Sequence, residues 1–332
     1  MAGVASVACE DGRVRERVGG LPLLAVPATV DVVLLAVAVL ATSSAAPLIA
    51  ATAAPTLAIA FWRNALSSAL LVPWAAARRR PELRALPLRG WRLSACAGGL
   101  LAAHFGTWIP SLALTSVASS TALVATQPVW AAVIARVRGD RVPLVAWVGT
   151  GLCVVGAALV AGIDLQVSTR ALGGDLLALA GAAMAAGYVT VGSAVRSDSG
   201  AESIGTVRSD SGAESAVRVG VSTVSYTAIC YSVCAVLLLV VNLLGGQRLG
   251  GWGSGTWLKL VALTVGAQLL GHSLVNVALR STSATVVSLV MLLEVPGAAL
   301  IAALWLHQVP GPAALPGLAL LLGGAALVLR AR

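Results

Sequence analysis

Two charged residues, Arg63 and Glu294, lie deep inside apolar runs of this 332-residue chain. A charge near the middle of a hydrocarbon layer costs about 2.5–3.5 kcal/mol even on the gentler insertion scales, so it faces a cavity or a partner. Glu294 stands ten residues into its run, which at ~1.5 Å per residue puts it about 15 Å from the start of the helix, near the midplane. A carboxylate there binds substrate, or takes up a proton on one side and releases it on the other; the alternative is a structural hydrogen bond between helices. Arg63 keeps its charge and must find an anion. A substrate carboxylate, Glu294 or backbone carbonyls would serve, and a structural or gating pair is the favoured reading.

His104 and His272 occupy two further runs, with Trp108 and Asn276 four residues on and therefore on the same helical faces. These four residues suggest two polar-aromatic walls of one cavity, although each histidine alone also suits a hydrogen bond between helices. Trp130 and Tyr188, far from the run ends, are further wall candidates. Gln127 and Glu294 each precede a proline, Pro128 and Pro296, and proline frees backbone carbonyls that can line a cavity. No histidine, cysteine and aspartate cluster has metal-ligand spacing, so neither a metal nor a cofactor is expected. Cys230 and Cys234 share a helical face and would suit a soft metal, but small apolar helix residues are the plainer reading.

The elements that position these groups follow from composition. Hydrophobic residues make up 58% and charged residues 11%, with mean hydropathy +0.92. Ordinary soluble domains are about 25% charged. So much apolar side chain could not be covered by the few polar residues available, and lipid must cover it instead. A soluble enzyme, a disulfide scaffold and a disordered chain are all excluded on these grounds. Ten apolar stretches are long enough to span: about 32–49, 55–77, 93–113, 117–135, 143–162, 174–195, 219–244, 258–279, 284–306 and 313–330. Residues 41–46 resemble a signal cleavage site, but the long segment of mixed charge ahead of them reads as a cytoplasmic tail, 1–31.

The net charge of +9 is an orientation signal and not a nucleic-acid signature. With the N-terminus inside, 18 of the 22 basic residues fall in cytoplasmic segments, as the positive-inside preference requires. Both termini are then cytoplasmic.

The chain also resembles itself. A shift of 167 residues lays 104–162 on 271–329, bringing Leu112, Thr115 and Ser116 onto Leu279, Thr282 and Ser283, and Gln127 onto Glu294. Five spans per half make the second half begin on the opposite side of the membrane, so the repeats are inverted, an arrangement that places substrate sites at the midplane. A second repeat, Arg-Ser-Asp-Ser-Gly-Ala-Glu-Ser at 196–203 and 208–215, falls in an expected flexible cytoplasmic loop, 196–218, and reads as a tolerated duplication.

Four stretches carry a resemblance to the drug/metabolite transporter superfamily, EamA type. They are Ala60–Leu66 around Arg63, Ala113–Pro128, Ala278–Pro296, and the glycine-punctuated last helix of each half, Gly149–Gly162 and Gly317–Gly324. Where the family often has glutamate directly before proline, Val295 intervenes here. The resemblance implies an all-α integral membrane protein of ten helices in two inverted five-helix repeats, 32–162 and 173–330. It also implies a secondary transporter exporting small metabolites, amino acids or toxic compounds from a bacterial plasma membrane. The partners expected are a small-molecule substrate, the lipid bilayer and protons as coupling ion, with no nucleic acid, in a monomer or homodimer. A non-transporting scaffold and an intramembrane transferase are the competing readings.

Overall fold

The structure, a computed structural model, describes residues 29–202, 204–208, 214–218, 222–278 and 284–331. The first half opens with α1 (Thr29–Ser43) and α2 (Ala45–Ala50), which form one apolar stretch interrupted at Ser44. Next come α3 (Thr56–Arg78), the short α4 (Arg80–Ala85) and α5 (Leu88–Ser111). Prolines set these boundaries: Pro55 and Pro87 cap α3 and α5, and Pro81 opens α4, positions where a missing N–H is harmless. Then follow α6 (Val117–Val124), α7 (Gln127–Val137) and α8 (Leu144–Val167). The Ser116 hydroxyl caps α6 by accepting from the Ser119 N–H at 3.0 Å.

The second half comprises α9 (Thr169–Glu202), α10 (Thr223–Leu244), α11 (Ser254–Ala262), a π-helical segment (Leu263–Gly271), α12 (His272–Ala278), α13 (Ala284–Met291), α14 (Glu294–Leu306) and α15 (Ala314–Arg330). Between α9 and α10 lie two antiparallel strands, β1 (Ile204–Arg208) and β2 (Glu214–Arg218), with Ile204 opposite Arg218.

Six helical stretches among the described residues are long and apolar enough to cross a membrane: Val30–Ala50, Val117–Val137, Thr169–Val195, Thr223–Leu244, Ser254–Val275 and Leu289–Leu306. Leu144–Val160 and Ala314–Arg330 are shorter apolar helices. The chain is a multi-pass membrane protein. Two of the ten expected spans, α3 and α5, are long but fall outside the six, and their sequences show why. α3 buries Arg63, Asn64 and Ser67 against its neighbours, and α5 begins with Arg89 and Arg92 and carries His104. These two helices are shielded by protein on several sides and can carry polar groups that a lipid-facing helix could not.

Helices meet where side chains are small. α5 lies along α9, with Gly174, Gly181 and Gly187 facing Thr115, Trp108 and Leu100. α8 lies along α15 through two glycine pairs: a Cβ on Gly156 would meet the Gly317 carbonyl oxygen at 2.7 Å, and one on Gly149 would meet that of Gly324 at 2.6 Å. α10 packs between α3 and α5. There the Cys230 thiol donates to the Ser94 carbonyl at 3.3 Å and Asn242 Nδ2 to the Leu57 carbonyl at 2.9 Å. The largest buried apolar cluster gathers α2, α3, α5, α10 and the π-helical segment around Ile59, Phe105, Ile109 and Leu263.

Asp175 is the seventh residue of α9 and fully buried. Within 196–218, expected as a loop, α9 continues to Glu202 and Ile204–Arg208 pairs with Glu214–Arg218 as β1 and β2. α9 contains no proline to stop it, and the β-branched Ile204, Thr206, Val207 and Val217 favour strand beyond it. Deleting Arg196–Val207 joins Val195 to a second copy of the same octapeptide, so the helix end is rebuilt and only the hairpin is lost. The unfolding midpoint and the transport rate of this deletion should match the full chain. Lost transport with normal membrane insertion would show that the hairpin has a role.

Candidate functional site

Three helix interruptions set the site. α6 gives way to α7 at Ala125–Thr126, and α13 to α14 at Leu292–Leu293. Gln127 and Glu294 are therefore each the first residue of a half-helix. The inserted Val295 leaves Glu294 at the break. A carboxylate in a first helical turn sits at the positive end of the helix dipole. The third interruption, at Ser44, lies alongside. The neighbouring Ser43 hydroxyl donates to the Glu294 carbonyl at 3.3 Å, and Thr42 lines the same cavity as Glu294.

Arg63 is 2% exposed on α3 and makes no ion pair with Glu294. Its Nε donates instead to Gln268 Oε1 of the π-helical segment. Gln268 Nε2 donates in turn to Asn64 Oδ1 at 3.3 Å, which settles which end of the amide faces Arg63. Asn64 is tied to its own helix through Nδ2 and the Ala60 carbonyl at 2.8 Å. The guanidinium carbon stands 4.4 Å from the centroid of the Phe105 ring, a cation–π contact that favours a desolvated charge. Arg63 Nη1 is buried without a hydrogen-bond partner. Sequence reasoning missed Gln268. An amide in the middle of an apolar run was the available signal, and π-helical segments recur at functional sites.

Arg63 and Glu294 face a common cavity of about 460 Å³. Six of the nine residues singled out in the sequence line it: Arg63, His104, Trp108, Gln127, Tyr188 and Glu294. Trp130 does not; it is half-buried on α7, one turn farther from the helix break than Gln127. The side chains of His272 and Asn276 lie outside the described residues. His104 joins helices through Nδ1 and the Gly181 carbonyl at 2.9 Å. Because a carbonyl only accepts, Nδ1 carries the proton in that bond. The imidazole stacks on Trp108 at 5.6 Å between centroids and 14° between planes. The Trp108 Nε1 donor is buried with no hydrogen-bond partner.

The cavity also has walls that the sequence reading did not assign. α10 contributes Thr223, Tyr226, Thr227 and Tyr231, and the first interrupted helix contributes Thr42 and Ala45. All three tyrosines of the chain, Tyr188, Tyr226 and Tyr231, thus face one space. The rarity of phenols in so apolar a sequence was the clue to look for.

The two ends of the cavity differ. The lining reaches the first two turns of α10 at Thr223 and Thr227. At the other end of the bundle, Trp62 stands edge-on to Trp257 at 4.9 Å, Trp257 packs on Trp252 at 5.5 Å, and Trp62 Nε1 donates to the Leu249 carbonyl at 2.8 Å. Lys259 Nζ donates to the Ala51 carbonyl at 2.7 Å beside them.

The profile of the EamA-like transporter family matches residues 29–162 and 212–330. The chain belongs to the EamA-like transporter family. The two matched regions each supply one of the deep charges, Arg63 in the first and Glu294 in the second. A solved structure, described only as the crystal structure of a protein, aligns with this EamA-like chain at TM-score 0.56 and 18% identity. The alignment covers 90% of this chain and 97% of the other; the likeness concerns the fold. No curated protein matches this EamA-like chain in sequence.

Proposed function

We propose that this EamA-like protein is a secondary active transporter that exports small metabolites, amino acids or toxic compounds by alternating access through the cavity between its halves. The observation that carries this reading is the cavity itself: about 460 Å³, walled by both halves, and holding one deep cation and one deep anion from different halves. That volume lies within the ~300–1,000 Å³ of small-molecule sites. A lining that reaches one end of the bundle, with the Trp62, Trp252 and Trp257 cluster across the other, suits one of two alternating states.

The membrane topology in this reading is ten spans in two inverted repeats, in a bacterial inner membrane with both termini cytoplasmic. Two packing pairs support it. α3 lies on α10 and α8 on α15, which pairs the second and the fifth expected spans of each half with their counterparts. A two-fold axis in the membrane plane produces such self-pairing. The glycine contacts add register. Gly149 and Gly156 correspond to Gly317 and Gly324, 168 residues on, and the contact of Gly149 with Gly324 is mirrored by that of Gly156 with Gly317. The ungapped shift of 167 paired Gly156 with Gly323, but a Cβ there would meet nothing within 4 Å. One extra residue therefore enters between Pro310 and Gly317.

Proteoliposome counterflow tests the function. Exchange of a labelled solute without ATP is expected. Its absence across a broad panel of amino acids and amphiphilic amines, from correctly inserted protein, would favour the scaffold reading.

A further inference from the structure

We propose that Arg63 Nη1 and Trp108 Nε1 form an anion subsite in this cavity, and that it takes the carboxylate of a small aromatic acid. The inference rests on the cavity being the substrate site and adds the class of substrate. Both atoms are donors only, both residues line the cavity, and both atoms are buried without a hydrogen-bond partner. Arg63 is 2% exposed and Trp108 6%. Leaving a buried donor unsatisfied is unfavourable, and most so for a charged one.

The surroundings of Arg63 separate a structural arginine from a binding one. Gln268, itself bonded to Asn64, holds the guanidinium through Nε, and Phe105 covers its face. A purely architectural arginine would spend its remaining N–H groups on backbone carbonyls or a carboxylate. Here the orienting bonds fix the plane of the group while Nη1 is left for an acceptor. Trp108 is placed by its stack on His104, which is itself anchored to Gly181.

The remaining lining specifies the rest of the ligand. Glu294 faces the same cavity, so a second negative charge on the ligand would be repelled; a monocarboxylate fits and a phosphate dianion does not. Phe105, Tyr188, Tyr226 and Tyr231 supply ring faces and edges, which suit a flat apolar body.

The test uses the full chain in detergent micelles and calorimetric titration with phenylacetate and its neutral isostere phenylacetamide. Phenylacetate should bind at least about tenfold more tightly, the usual scale for hydrogen bonds to a charged group. Trp108→Phe keeps an aromatic ring while removing the N–H donor and part of the indole. It should weaken phenylacetate about tenfold and phenylacetamide less, because the bond to a carboxylate is stronger than the bond to a neutral amide carbonyl, whereas a packing role would weaken both alike. Arg63→Lys should remove the preference for phenylacetate. If that variant does not fold, the Trp108→Phe comparison decides. Equal affinities for the two ligands, binding of neither, or equal losses in Trp108→Phe would overturn the subsite. Failure of the transport reading looks different: phenylacetate would bind as expected, yet no solute would show counterflow. Counterflow of solutes with no preference for carboxylates would sink the subsite and leave the transporter.

Discussion

Proteoliposomes carrying Glu294→Gln should show no solute accumulation driven by a pH gradient, while exchange of labelled for unlabelled solute continues. Glutamine keeps the shape of the side chain and leaves the Ser43 bond to the backbone carbonyl at that position in place, so the break between α13 and α14 is preserved. It carries no titratable proton, so among the described residues the cavity lining is left with no carboxylate. The magnitude follows from the driving force. One pH unit is worth about 1.4 kcal/mol per proton, which sustains roughly a tenfold solute gradient for each coupled proton. The unsubstituted protein should approach that ratio under a one-unit gradient, and the variant should remain near unity. A variant that still accumulates solute in response to the gradient would remove Glu294 as the coupling residue. His104, the imidazole on the cavity wall, would then be the next to substitute.

The second large effect concerns stability. Gly156→Ala should lower the unfolding midpoint by several degrees, because the added methyl would sit 2.7 Å from both the Gly317 carbonyl oxygen and the Leu321 nitrogen. Backbone atoms on the facing helix cannot rotate away as a flexible side chain would. Overpacking of this kind costs about 1–3 kcal/mol, and α8 can relieve it only by moving off α15 along its length. Gly151→Ala on the same helix is the control, since a Cβ there would meet nothing within 4 Å. It should be neutral or slightly stabilising, because alanine is the better helix former by up to ~1 kcal/mol. Similar midpoints for the two variants in a thermal melt would contradict close packing at the glycine seam.

Much of this architecture could be read from sequence because lipid imposes a simple rule. Long apolar runs, prolines at their edges and arginines on one side leave few arrangements. Arg63 and Glu294 stood out as the deep charges for the same reason, and the cavity contains both. Pairwise contact was harder to read. Arg63 turned out to be oriented by Gln268, 205 residues away in the chain, and not by Glu294, because side-chain pairing depends on helix rotation that apolar runs do not encode. The walls from α10 were missed because tyrosines in a membrane protein read first as interfacial residues, whereas Tyr226 and Tyr231 face inward. The hairpin at β1 and β2 was hidden by a duplicated octapeptide. The same residues that end a helix at Arg196–Glu202 contribute to strands at Arg208, Glu214 and Ser215, so local sequence alone could not assign both copies.

The bond between Arg63 and Gln268 also constrains inheritance. The guanidinium is encoded in the first half of the gene, while the amide that aims it and the acid that shares its cavity are encoded in the second. Neither half-gene specifies a binding site by itself, and a change in one half alters the meaning of residues in the other. Diversification of such a chain must proceed by paired changes in its two halves, which are free to change in sequence but not to lose their fit.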